Sequence, residues 1–252
     1  MRNIKLIIEY DGTNFNGWQV QKVESRKSKV KIRTVQETLE QALKQILQEK
    51  IKLAGSGRTD SGVHALGQVA NFKTKSRMPV VDIKRALNAV LPEDIVIHKV
   101  EEAALKFHAR FKAKSKIYRY AILNRSYRST RENNFSFFYP RNLNLNLMCQ
   151  EAKHLVGNKD LKSFQATDKK DRSSRRIIKN IRIHKKGDFI FIDIESNGFL
   201  YKMARNIAGT LIEVGRGKLP VGSLPLILKS KDRKTAGPTA PACGLTLLEV
   251  KY

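Results

Sequence analysis

One apolar pattern runs along the chain twice, and few architectures accommodate it. Residues 3–10 are β-rich, and Thr34-Val35-Gln36-Glu37 reads as a capping box that opens a helix with Val35, Leu39, Ala42, Leu43, Ile46 and Leu47 on one face. A short apolar segment at 51–54, a strand ending near Phe72, a helix face of Ile83, Ala86, Leu87 and Val90, and a strand at Ile95–Ile97 complete the order β-α-β-β-α-β. The order then repeats. A strand at 117–123 precedes a helix from Leu145 to Val156 that Gly157 can terminate, and strands at 177–183 and 189–193 flank the turn Lys186-Gly187-Asp188. A helix from Phe199 to Val214 carries Met203, Ile207 and Leu211 inward, and Leu245, Leu247 and Val250 close the set. The expected fold is α+β. Two ferredoxin-like or RRM-like halves, residues 1–104 and 105–252, would form one extended, mostly antiparallel sheet with helices on one face and a central, basic cleft on the other.

Charge narrows the partner. Lys and Arg number 49 against 23 Asp and Glu, a net charge of +26 that attracts polyanions. The excess is clustered: residues 22–33, 106–119 and 169–186 carry 21 of the basic residues and two acids. A lysine-rich coding bias would spread cations over every exposed face, so the clustering reads as a nucleic-acid footprint. No apolar run approaches the length of a membrane span, and MRNIKLIIEY carries no cleavable signal pattern, so a cytoplasmic protein without membrane contact is expected.

The most reactive-looking segment is GSGRTDSGVHALGQVANF, residues 55–72. It sets the carboxylate of Asp60 among Gly55, Gly57 and Gly62, which allow positive φ and close backbone approach, with Arg58 two residues before the acid. A polar surface turn in which Asp60 pairs with Arg58 would use the same residues. The other catalytic options are excluded by spacing. His64, His98, His108, His154 and His184 show no HxxxH or HxE spacing, and Cys149 and Cys243 read as packing thiols. Neither a GxxxxGK[ST] loop nor a βαβ-linked GxGxxG occurs, so no metal and no cofactor is expected. An aspartate held ionised beside a guanidinium can still act as nucleophile or base at a sugar or base carbon.

Seven ordered blocks carry a resemblance: YDGTNFNGWQVQ (10–21), TVQETLEQAL (34–43), GRTDSGVHALGQVANF (57–72), FHARFKAKSKIYRY (107–120), HLVGNKDLKSF (154–164), SNGFLYKMARNIAGTLIEVG (196–215) and APACGLTLLEVKY (240–252). Through nearly its whole length the chain resembles the TruA-type tRNA pseudouridine synthases. The resemblance implies two α+β halves with the active cleft between them, a homodimer, and cofactor-free isomerisation of uridine to pseudouridine at positions 38–40 of the tRNA anticodon stem-loop. By position, Asp60 matches the catalytic aspartate, Tyr118 the tyrosine that stacks on the flipped base, Arg205 the arginine that pairs with the aspartate, Arg58 the one that guides the flipped nucleotide, and Leu245 an apolar pocket residue. Core packing of the last strand accounts for Leu245 equally well. Lys112, Lys114, Lys116, Arg172, Arg175 and Arg176 are candidates for backbone phosphates. Ser61 and Ala204 stand where the family has alanine and valine, and the loop before Thr34 is longer and more basic than usual. A non-catalytic RNA-binding protein on the same fold, and a synthase acting at another RNA position, remain alternatives.

Overall fold

The computed structural model describes residues 1–19, 33–167 and 173–252, and the chain divides into two compact units. The first comprises Met1–Lys114 with Leu247–Tyr252, and the second Ser115–Thr246. Residues 105–114 and the C-terminal segment therefore belong with the first unit.

In the first unit β1 (Arg2–Tyr10) is central, because Ile4, Leu6, Ile8 and Tyr10 alternate inward and are all buried. Helix α1 (Val35–Leu47) buries Val35, Leu39, Leu43 and Leu47 along one side, and the Thr34 side chain caps it by accepting the Glu37 N–H. The strands β2 (Ala54–Gly55), β3 (His64–Thr74) and β4 (Ile95–Ala103) and the helix α2 (Val80–Val90) follow. β1 lies between β4 and β3, and β2 pairs with the other edge of β3, each pairing being antiparallel. This 4-1-3-2 order is the split βαβ arrangement expected from the sequence.

The second unit opens with β5 (Ser115–Leu123), which β6 (Phe137–Phe138) joins in parallel, and continues through α3 (Leu145–Ala152) and β7 (Gly157–Asp160). β8 (Arg175–Lys186) and β9 (Phe189–Ser196) form a hairpin, followed by α4 (Met203–Gly215) and α5 (Ser223–Ser230). The strand order β5-β9-β8-β7 is antiparallel throughout, and α4 is buried along almost its whole length. The last strand, β10 (Leu245–Lys251), is hydrogen-bonded to β3 within the first unit, where a Cβ on Gly67 would lie 2.4 Å from the Leu248 carbonyl.

Four local expectations change. The helix expected to Val156 ends at Ala152 with one tighter turn at Lys153–Leu155, and Gly157, at φ +100°, begins β7 instead of capping a helix. The helix expected from Phe199 starts at Met203, after Lys202 in the left-handed region. β8 begins at Arg175, so Arg175 and Arg176 lie within a strand instead of before it. β6, β7 and α5 are additions to the duplicated pattern. Among the described residues no helix is long and apolar enough to cross a membrane.

Candidate active site

The Asp60 loop is anchored at both ends within the first unit. Ser56 donates its N–H to Val69 O at 2.7 Å and its hydroxyl to Gln68 Oε1 at 2.6 Å, while Gln68 Nε2 reaches Gly57 O at 3.1 Å. The carbonyl of Asp60 accepts the Val63 N–H at 3.2 Å across the turn that Gly62 makes at φ +75°. Gly62 thus serves the turn as expected and Gly55 serves close approach, since a Cβ there would lie 2.5 Å from the Trp18 indole. Gly57 does not adopt positive φ, and its part is to present the carbonyl that Gln68 holds.

The stiffness of this loop comes from a segment distant in sequence, residues 10–18. Trp18 N–H donates to Thr59 O at 3.2 Å, and Phe15 O accepts both the Gly62 N–H at 3.3 Å and the Ser61 hydroxyl at 3.2 Å. Two further glycines make that approach possible. A Cβ on Gly17, at φ +82°, would stand 2.4 Å from Thr59 O, and one on Gly12 would stand 2.1 Å from Val63 O. Beneath them the buried Tyr10 hydroxyl meets Thr59 Oγ1 at 2.8 Å, and burial pushes the Tyr10 phenol up to about 12. Gly12 N–H donates to Nδ1 of the buried His64 at 3.0 Å. The Asp11 carboxylate lies 3.1 Å from that same nitrogen and also accepts the Thr13 N–H and hydroxyl. The frame therefore fixes the backbone on each side of Asp60, whose side chain is half-buried, while Arg58 is exposed.

The second unit supplies the remaining positional candidates. Tyr118 sits on β5 opposite Ile194, is 7% exposed, and meets the Phe199 ring edge-on with centroids 4.8 Å apart. Its neighbour Tyr120 is a core residue, fully buried, with its hydroxyl on Pro241 O at 2.9 Å and its pKa raised by burial. Arg205 lies in the first turn of α4, donates Nε to Ala240 O at 2.8 Å and receives the Ala240 N–H on its own carbonyl at 3.2 Å. The next residue, Asn206, is fully buried and bonded at both ends of its amide: Nδ2 donates to Phe164 O, and Oδ1 accepts from Arg233 Nη2 and the Thr239 hydroxyl. That network ties α4 to residues 233–240 and so sets where Arg205 projects. Leu245, 6% exposed, begins β10.

The basic candidates divide. Lys112 and Lys114 are exposed and Lys116 is half-buried, while Arg175 is exposed opposite Asp160. Arg176 folds onto Ser173 O and Arg175 O, and burial lowers its pKa. Arg172 and residues 22–32 lie outside the described residues. Two cations of the basic runs have internal roles. Arg33 grips Asp94 with both terminal nitrogens at 2.6 and 2.8 Å over the Phe15 ring, and Arg119 forks onto Asp193 over Phe191, a pairing that raises its pKa.

Comparison with known proteins matches residues 6–112 and 152–252 to a family described as tRNA pseudouridine synthase. Proteins named tRNA pseudouridine synthase A are similar over all of both chains: that of Thermoanaerobacter pseudethanolicus is 45% identical over 252 residues, that of Caldicellulosiruptor bescii 45% over 252, and that of Ruminiclostridium cellulolyticum 46% over 253.

Proposed function

Because the chain belongs to the tRNA pseudouridine synthase family and is an isomerase that converts uridine to pseudouridine in tRNA, we propose that Asp60 initiates the reaction and that its targets are uridines 38–40 of the anticodon stem-loop. The observation that carries the reading is the double brace on the Asp60 loop. Both Gly12 and Gly17 admit backbone so close to Thr59 and Val63 that any side chain would displace the loop. A turn with no task beyond connecting β2 to β3 has no need of that constraint, whereas a reacting carboxylate must be held within a fraction of an ångström.

Isomerisation breaks the C1′–N1 bond, turns the uracil, joins C5 to C1′ and moves the C5 proton away as N1 gains one, so nothing is oxidised and nothing is consumed. An ionised carboxylate can open this sequence by attack at C1′, by addition at C6 or by removal of a sugar proton, and each route uses Asp60 as the anion. Tyr118 then supplies a ring to stack on the everted base, Arg205 a guanidinium that favours the charged form of Asp60, and Arg58 a cation that guides the everted nucleotide. Leu245 contributes an apolar wall. Extraction of a base costs a few kcal/mol, which contacts to the rest of the tRNA must offset. The exposed Lys112, Lys114 and Arg175, with Lys116, Arg172 and Arg176, are assigned to the phosphate backbone, and the enzyme is assigned a cytoplasmic, homodimeric state. Carbodiimide-based mapping of pseudouridine in RNA from cells lacking the gene tests the reading. Loss confined to positions 38–40 supports it; loss at another RNA position assigns a different target, and no loss at all leaves a binding protein without catalysis.

A further inference from the structure

Residues 124–136, which join β5 to β6 in the second unit, carry Arg125, Arg128 and Arg131 against the single acid Glu132. They fall in the stretch 113–151 that the family match leaves out. The segment is nonetheless ordered by bonds of its own. Asn124 donates Nδ2 to Tyr139 O at 2.8 Å and to Arg141 O at 2.7 Å, and its N–H goes to Asp188 O at 2.8 Å. Arg125 closes the turn: Nε reaches Tyr127 O at 3.0 Å, Nη2 reaches Arg128 O at 3.2 Å and Nη1 reaches Asp188 Oδ2 at 3.2 Å. With its nitrogens so occupied, the guanidinium lies over the Tyr127 ring, 4.1 Å from the centroid.

That arrangement is odd for an aromatic residue used only for packing. Tyr127 is 63% exposed even though its turn is fixed by three bonds from one arginine. One ring face is covered by a cation, and at 63% exposure the ring remains open to solvent. Arg128 follows Tyr127 directly and Arg131 comes three residues after Arg128, both exposed, and neither forms an ion pair among the described residues. An ordered, exposed ring, backed by a guanidinium and followed by uncommitted cations, has the chemistry that receives an unpaired nucleotide: the base stacks, and the cations meet adjoining phosphates. Protein interfaces also favour Tyr and Arg, but a chain of net charge +26 that acts on tRNA meets a polyanion, and the uncommitted cations here suit phosphates.

We propose that Tyr127, backed by Arg125 and followed by Arg128 and Arg131, is a stacking platform for an unpaired nucleotide of the RNA substrate, separate from the residues assigned to isomerisation. The proposal rests on tRNA being the substrate. Tyr127→Ala raises KM for tRNA about tenfold with kcat changed less than twofold, as expected for the loss of one base stack, and Tyr127→Phe restores KM. Replacing Arg128 and Arg131 together by Ser reduces the slope of log K against log salt by roughly one to two. A direct readout comes from Tyr127→Trp: the chain has one tryptophan, Trp18, which is 3% exposed, so stacking on RNA quenches emission from the new indole alone. Wild-type KM for Tyr127→Ala, or an unquenched Tyr127→Trp in saturating tRNA, overturns the platform. Failure of the wild-type protein to make pseudouridine would instead overturn the proposed function, and the two outcomes are read separately. Should Tyr127→Ala fail to fold, the Trp emission and the arginine salt slope still decide the matter.

Discussion

Substituting Gly17 by Ala perturbs Asp60 from a distance of more than forty residues in sequence, and the structure sets the size of the effect. The new Cβ would stand 2.4 Å from Thr59 O and 3.1 Å from the carbonyl carbon of Asp60. Ordinary contact requires about 3.5 Å, so the two segments must separate by about 1 Å. The separation also stretches the Trp18 N–H to Thr59 O bond, and alanine at φ +82° carries a backbone penalty of about 1–2 kcal/mol. Together these predict a stability loss of about 2–4 kcal/mol in urea unfolding. A 1 Å shift of a reacting group costs on the order of a hundredfold in rate, so pseudouridine formation at saturating tRNA should fall by that factor while tRNA binding changes little. Gly187→Ala is the control. It also has positive φ, at +58°, but no described residue lies within 4 Å of the added carbon, so it should cost about 1 kcal/mol of stability and leave turnover unchanged. If Gly17→Ala turned over at the wild-type rate, or Gly187→Ala lost activity to the same degree, the brace would have no bearing on catalysis.

Tyr10→Phe removes the buried hydroxyl from Thr59 Oγ1 and should cost about 1–2 kcal/mol by chemical denaturation. Because the folded phenol holds its proton up to about 12, its contribution is present below the unfolded pKa and lost as pH rises from about 10 through about 12; the variant should lack that part of the alkaline limb. Glu101 behaves oppositely. The Lys5 ammonium, then that of Lys99, holds its carboxyl below the usual range, so the contribution is present above the unfolded pKa and lost as pH falls. Glu101→Gln should flatten stability against pH below about 5 relative to wild type, measured by denaturant midpoints.

Regular elements were legible where side chains carried the signal. β1, α1, β3, α2 and β4 follow from alternation, the 3.6-residue period and the Thr34 cap, and the α+β class follows with them. Elements held by backbone pairing alone were not. β7 is Gly-Asn-Lys-Asp, without apolar alternation, and exists because β8 offers it an edge; α5 contains Pro225, tolerable only because it sits in the first turn. The same division applies at the site. Glycine chemistry marked the Asp60 loop, but the partners of Thr59 and Gly62 are carbonyls and N–H groups of Phe15 and Trp18, which no side-chain pattern announces. Basic runs do not distinguish phosphate ligands from internal pairs either. Arg119 is spoken for only because Asp193 falls directly opposite on β9, a fact of register.

We assign the start of the chemistry to one carboxylate, Asp60, and the holding of the tRNA to other groups. Asp60→Asn keeps the volume of the side chain and the braced loop but removes the charge. The variant should form no detectable pseudouridine in single-turnover assays at saturating tRNA, with wild-type stability and a wild-type salt dependence of tRNA binding. Product formation at a rate near that of the wild-type enzyme would contradict the assignment.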